Sequence, residues 1–199
     1  MSKTTEIGNF KFQETSIDGV FIIDVKRFGD DRGFFMETYK KECFAAAGID
    51  CEFVQDNQSA SKEGVLRGLH FQINHPQSKL VRVVKGKVFD VCVDLRKDSP
   101  TFGKWEGVVL SDENSRQFFI PRGFAHGFLV MSESAEFCYK CDDVYHPNDE
   151  GGLPFDDPDI GIIWPAIGSD VVFDKKRVTL SDKDKVHPSL REYKEKLEL

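Results

Sequence analysis

No stretch of this sequence stays apolar long enough to cross a membrane; the richest runs, around Phe118 and Phe128, fall far short of a span. Residues 1–9 are polar and contain no apolar signal core, so the cytoplasm is the expected compartment. Cysteine is scarce and odd in number. Cys43, Cys51, Cys92, Cys138 and Cys141 are scattered, which speaks against a secreted disulfide framework and for reduced thiols. Lys and Arg never run beyond three in a row and form no stripe. With 34 acidic against 27 basic residues the net charge is −7, so a nucleic-acid backbone is repelled on average. Any phosphate ligand must therefore be held by a few placed cations. Neither G-x-G-x-x-G nor G-x-x-x-x-G-K-[ST] occurs, so the sequence offers no glycine-rich cradle for a redox or nucleotide cofactor. Internal repeats, low-complexity blocks and Pro/Ser-rich linkers are missing too, and 199 residues without such a break read as one domain, 1–199.

What is present is a 40% hydrophobic composition and a succession of short β-branched and aromatic runs punctuated by Gly, Asn, Asp or Pro. They fall at residues 19–28, 53–57, 65–71, 79–84, 87–95, 105–110, 116–120, 126–131 and 135–141. Many short strands at this spacing predict an all-β sandwich or barrel, with its core over about residues 19–145. The alternation is clearest in 87–95, where Phe89, Val91, Val93 and Leu95 share one face and Val88, Asp90, Cys92 and Asp94 the other. A carboxylate among such neighbours fits either a pocket wall or a solvated face. Residues 40–47, followed by Gly48, predict a short helix with a glycine stop. Beyond Pro165 the chain turns charged, and Ser181 starts a run suited to a helix cap. Residues 165–199 are therefore expected as irregular and helical cover over the barrel.

Three segments could carry chemistry. In Gly64-Val-Leu-Arg-Gly-Leu-His-Phe-Gln72 a histidine stands in a strand beside an arginine and close to glycine, and imidazole suits general-base work near neutral pH. A lone strand histidine is more often structural, so the segment alone leaves both readings open. Phe119-Ile-Pro-Arg-Gly-Phe-Ala-His-Gly127 contains P-x-G-x-x-H, the spacing of the second motif of cupin barrels. The H-x-H pair that would complete a cupin metal site is missing, since Gln72 stands two after His70 and Val130 four after His126. The third segment is Ala135-Glu-Phe-Cys-Tyr-Lys-Cys141, which puts Phe137, Tyr139 and Cys141 on one strand face. A tyrosine facing into a barrel can donate a proton, though a half-buried ring with a wet tip is its commoner fate. Cys138 and Cys141 form a C-x-x-C inside that strand, where they face opposite ways, so no metal is expected there.

Taken in order, these segments and their neighbours resemble the dTDP-4-dehydrorhamnose 3,5-epimerase family over nearly the whole chain. The resemblance is carried by Phe28-Gly-Asp-Asp-Arg-Gly-Phe-Phe35, Phe53-Val-Gln-Asp-Asn57, Val65-Leu-Arg-Gly-Leu-His-Phe-Gln72, Ser78-Lys-Leu-Val-Arg82, Val88-Phe-Asp-Val91, Asp94-Leu-Arg96, Ser99-Pro-Thr-Phe-Gly103, Arg116-Gln117, and residues 119–128 and 135–140. It implies a cupin-type jelly roll, a homodimer, no cofactor and no metal. The substrate it implies is dTDP-4-keto-6-deoxyglucose, converted to dTDP-4-keto-rhamnose in dTDP-rhamnose biosynthesis. By the same resemblance His70 is the base, Asp184 its partner, Lys79 the stabiliser of the oxyanion and Tyr139 the acid. Arg32, Glu37, Gln55, Asn57, Arg67, His126, Glu150 and Lys183 match substrate-binding positions. This set suits the reaction. A ketone at C4 acidifies the hydrogens at C3 and C5, because either carbanion delocalises onto oxygen as an enolate.

Two features strain the pattern. Arg67 and His70 are three apart, so a regular strand would put them on opposite faces unless a bulge sits near Gly68. Many relatives carry two adjacent aromatics where this chain has Val144-Tyr145, a difference that bears on nucleotide preference and on how many centres are inverted. The alternatives are a single-centre epimerase of a related 4-keto sugar nucleotide, a metal-dependent cupin and a non-catalytic binding module. The missing H-x-H counts against the second, and the presence of His70, Asp184, Lys79 and Tyr139 against the third.

Overall fold

The alternating runs become antiparallel strands in the computed structural model, which describes residues 3–198. In chain order they are β1 (Thr4–Ile7), β2 (Phe10–Glu14), β3 (Phe21–Val25), β4 (Arg27–Asp30), β5 (Gly33–Met36), β6 (Gln55–Lys62) and β7 (Leu66–Gln72). There follow β8 (Lys79–Lys85), β9 (Lys87–Asp94), β10 (Trp105–Ser111), β11 (Gln117–Ile120), β12 (Phe124–Val130), β13 (Ser134–Cys141) and β14 (Glu150–Gly152). Helix α1 (Lys41–Ala46) stops where expected, with Gly48 at φ +91°, and α2 (Leu190–Glu198) closes the described chain.

A seven-stranded sheet in the order β1-β2-β3-β11-β8-β13-β6 faces a five-stranded sheet in the order β10-β9-β12-β7-β14. This is the double-sheet jelly roll that the sequence predicts. Between the sheets lie Val81, Val83, Phe118 and Phe137 from one and Val88, Cys92, Leu110 and Phe128 from the other. Period two in β9 gives its other face, Val91 and Val93, to a second cluster outside the five-stranded sheet. There Leu153, Phe155, Trp164, Ile167 and Leu190 cover it, the last two from the region after Pro165. A third cluster sets Phe10, Phe12 and Ile23 against Phe44 of α1.

The structure corrects several boundaries. The run 19–28 is two strands, β3 in the large sheet and β4 in a separate hairpin with β5. Strands β1 and β2 were not expected, because residues 1–9 are polar and only Phe10 and Phe12 reach the core. Ser181 does not start an α-helix; its Oγ accepts from the Asp184 N–H at 3.3 Å ahead of a single 3-10 turn, Lys183–Lys185. Ser189 caps α2 instead, donating through its backbone N–H and hydroxyl to Glu192 at 2.7 and 2.8 Å.

Candidate active site

The inner face of β7 is set by a bulge. Pairing with β12 joins Phe128 to Arg67 and His126 to His70, so Gly68 and Leu69 together oppose the single residue Gly127. The extra residue shifts the alternation by one, and Arg67 and His70 line the same cavity despite their odd spacing. Gly68 is required there. It holds φ +126°, and a Cβ on it would stand 2.5 Å from Gly127 Cα.

That cavity has a volume of about 370 Å³ and opens beside a second chamber of about 330 Å³. His70, Lys79 and Tyr139 line both, which puts them at the junction. Together the chambers have the size of a site for an extended small molecule. His70 comes from β7 in the five-stranded sheet, whereas Lys79 on β8 and Tyr139 on β13 come from the seven-stranded sheet. The imidazole and the phenol thus stand on facing walls.

His70 Nε2 lies 2.5 Å from Oδ1 of Asp184, whose side chain is 3% exposed against 39% for the histidine. Burial alone would raise the pKa of Asp184, but hydrogen bonds and charge from His70, with Ser181 and His187, outweigh it and hold the group ionised. With the Nε2 proton directed at this carboxylate, the ring keeps a lone pair on Nδ1.

A second pair stands deeper. His126 Nε2 is 3.0 Å from both carboxylate oxygens of Asp90, which is fully buried. Asp90 therefore faces the barrel interior, which decides between the two readings its strand allowed. Burial raises its pKa, opposed by His126 and then by Lys79. Burial likewise lowers the pKa of Lys79, against the pull of Cys141, Asp90 and Glu150. Tyr139 is raised, chiefly by burial and then by Cys141, so its hydroxyl keeps its proton at neutral pH.

The remaining candidates divide. Gln55 and Asn57 line the second chamber and are joined by a 3.0 Å hydrogen bond from Gln55 Nε2 to Asn57 Oδ1. Glu150 lines it too, and Lys183 reaches Glu150 at 2.8 Å. Arg67 donates to Ser61 Oγ at 3.0 Å. Two residues are not brought to the cavity within this chain. Arg32 sits at the tip of the β4–β5 hairpin, 90% exposed and paired with Asp30, while Glu37 accepts from Asn9 at 3.2 Å. Sequence reasoning passed over His187, which stands three residues after Asp184 with Nε2 3.5 Å from Asp184 Oδ1. Its signal was the Asp-Lys-Val-His spacing in a turn, which brings the first and last side chains together. A further cavity of about 310 Å³, under Thr38, holds Arg82 and Lys140 but neither His–Asp pair. All five cysteines are free, with Cys138 lining that cavity and Cys141 the second chamber, on opposite strand faces. Among the described residues no helix is long and apolar enough to cross a membrane.

Comparison with known proteins matches residues 14–192 to the family model for dTDP-4-dehydrorhamnose 3,5-epimerase. The chain is 53% identical over 186 residues to the enzyme of that name from Methanothermobacter thermautotrophicus, covering 94% of this chain and 97% of the relative. It superposes with a TM-score of 0.85 on the Legionella pneumophila dTDP-6-deoxy-D-glucose-3,5-epimerase in complex with dTDP-4-keto-L-rhamnose. That pair is 49% identical, covering 92% of this chain and 93% of the other. A 3'-monoepimerase from Streptomyces bikiniensis, solved with dTDP-quinovose, superposes with a TM-score of 0.82 at 35% identity, covering 93% of this chain and 90% of the other.

Proposed function

The chain belongs to the dTDP-4-dehydrorhamnose 3,5-epimerase family, and on that premise we propose that it inverts C3 and C5 of dTDP-4-keto-6-deoxyglucose to give dTDP-4-keto-rhamnose. The observation that carries this reading is the placement of a carboxylate-held imidazole and a protonated phenol on facing walls of one cavity, with a lysine between the chambers. His70 Nδ1 takes the proton from the carbon beside the ketone, and Asp184 stabilises the imidazolium that forms. The electron pair moves onto the C4 oxygen, where Lys79 stabilises the enolate, a good donor contributing about 3–4 kcal/mol. Tyr139 then protonates the same carbon from the opposite face, which inverts it.

One inversion leaves His70 with an extra proton and Tyr139 without its own. A second inversion therefore needs both groups reset, and the 39% exposure of His70 gives it a path to solvent. The proton added on the new face comes from water, so isotope from solvent marks each inverted carbon.

In this reading Gln55, Asn57 and Glu150 of the second chamber, Arg67 of the first and Lys183 beside Glu150 hold the nucleotide and its diphosphate. The enzyme acts as one domain, as a cytoplasmic homodimer. Phe28, Phe34 and Phe35 are exposed on a hairpin that joins neither large sheet, a surface suited to a second copy. Arg32 on the same hairpin then reaches the partner's cavity. The five free cysteines accord with a reducing compartment. The rival, inversion at a single carbon, draws support from Val144 and from the likeness to the Streptomyces bikiniensis monoepimerase. Incubation with dTDP-4-keto-6-deoxyglucose, chemical reduction of the products with borohydride and sugar analysis separates the two. Rhamnose configured at both carbons supports the proposal, whereas inversion at one carbon supports the rival.

A further inference from the structure

Among the described residues one group gathers three metal-ligating side chains: His70, Asp184 and His187, with ligand atoms all within 4.8 Å of one another. The two imidazoles converge on one oxygen, His70 Nε2 at 2.5 Å and His187 Nε2 at 3.5 Å from Asp184 Oδ1. His187 Nε2 is buried, and its contact with Asp184 Oδ1 is longer than an ordinary hydrogen bond, which leaves the nitrogen weakly satisfied. The ring is also held in place. Gly152 lies across from His70 in β14, and a Cβ there would stand 2.3 Å from His187 Cε1 and 2.4 Å from Nε2. The imidazole therefore rests on bare backbone.

We propose that His70, Asp184 and His187 form a site for one divalent transition-metal ion, and that the bound ion reversibly inhibits the enzyme. Two imidazoles and a carboxylate are the donor set of zinc, cobalt and nickel, not of magnesium or calcium, which take oxygen ligands. Ligand atoms about 2.0–2.1 Å from a tetrahedral ion stand about 3.3 Å apart. The His187–Asp184 separation is already close to this. His70 has to withdraw by about 0.8 Å, which its 39% exposure permits. The fourth position takes water.

Inhibition follows from the tautomer. An ion on Nε2 of His70 displaces the proton that Asp184 holds there, and the one proton of the neutral ring moves to Nδ1. No lone pair remains for the substrate, and Asp184 is withdrawn from the base. The ion takes Nε2 while the substrate meets Nδ1, so the ion disables the base without occupying the sugar's place.

Binding itself does not depend on the epimerase reading; only the inhibition does. The test titrates Co²⁺ into metal-stripped full-length protein, follows visible ligand-field absorption, and then measures turnover of dTDP-4-keto-6-deoxyglucose against Zn²⁺, with EDTA reversal. Wild type is expected to show saturable one-to-one absorption and EDTA-reversible inhibition. In His187→Ala and His187→Phe, each checked for folding by circular dichroism, the band should disappear. The Zn²⁺ needed to halve each variant's own metal-free rate should rise at least about tenfold, since a lost ligand costs no less than a lost outer-shell partner. No saturable band in wild type, or an unchanged band in either folded variant, overturns the site. A band that depends on His187 without any effect of Zn²⁺ on turnover overturns the inhibition. A His187-dependent band in a protein that does not turn over the sugar nucleotide supports the site while the epimerase reading falls.

Discussion

Replacing Gly68 with alanine tests how the fold sets the base. The new methyl carbon would lie 2.5 Å from Gly127 Cα and 2.8 Å from the His126 carbonyl oxygen, both of them backbone atoms. Ordinary carbon contacts begin near 3.5 Å, so β7 and β12 must part by about 1 Å. His70 lies two residues along one of these strands and His126 lies beside the other contact, so both imidazoles move. A displacement of about 1 Å at reacting groups costs about 10²-fold in rate. Alanine at φ +126° adds backbone strain of about 1–3 kcal/mol, which lowers Tm by about 2–4 °C per kcal/mol in a chain of this size. The assay is turnover of dTDP-4-keto-6-deoxyglucose alongside thermal unfolding. Gly48→Ala is the control: it has φ +91° and open space around it at the end of α1, so it should lose stability and keep kcat. A Gly68→Ala enzyme within about twofold of wild-type kcat would refute the claim that the bulge positions the base.

Three further outcomes are expected. Asp184→Asn keeps the shape but removes the charge that stabilises the imidazolium, so kcat should fall by about 10²–10⁴ while the melting curve stays cooperative; a loss under about threefold contradicts the pairing. Tyr139→Phe leaves the base intact but lets His70 return the proton to the face it came from. Deuterium should then enter recovered substrate faster than product forms, and equal losses of exchange and inversion would count against Tyr139 as the acid. Asp94 is fully buried, and although burial opposes it, hydrogen bonds from Arg96, Ser99 and Thr101 hold its pKa at about 2, below its ordinary value of 3.8. Its stabilising effect is complete above about pH 4 and lost as pH falls through about 2. Urea unfolding of wild type against Asp94→Asn should show about 2 kcal/mol of acid-dependent stability missing from the variant, and parallel pH curves would contradict this.

The barrel was legible because strands with two differently buried faces must alternate, and β9 did so without exception: Val91 and Val93 pack outward, Val88 and Cys92 inward. What was not legible arose from contacts distant in sequence. Strand β2 hides two phenylalanines in a polar stretch, and only their packing on Phe44 of α1 marks them as core. The odd spacing of Arg67 and His70 signalled an irregularity, but only the register against β12 fixes the bulge at Gly68 and Leu69. Asp90 was ambiguous because a strand does not announce which face is solvated; His126, from the neighbouring strand, resolves it. His187 was passed over although the resemblance pairs Asp184 with His70, because only the turn at residues 183–185 brings it back to Asp184. Arg32 and Glu37 stand apart from the cavity because one lies on the exposed tip of the β4–β5 hairpin, paired with Asp30, and the other is bonded to Asn9.

The most direct test is proton NMR of dTDP-4-keto-6-deoxyglucose in D₂O with catalytic wild type and with His70→Ala. The account predicts deuterium at both C3 and C5 with wild type and at neither with the variant. Exchange at one carbon only would contradict the double inversion, and undiminished exchange in His70→Ala would contradict His70 as the base.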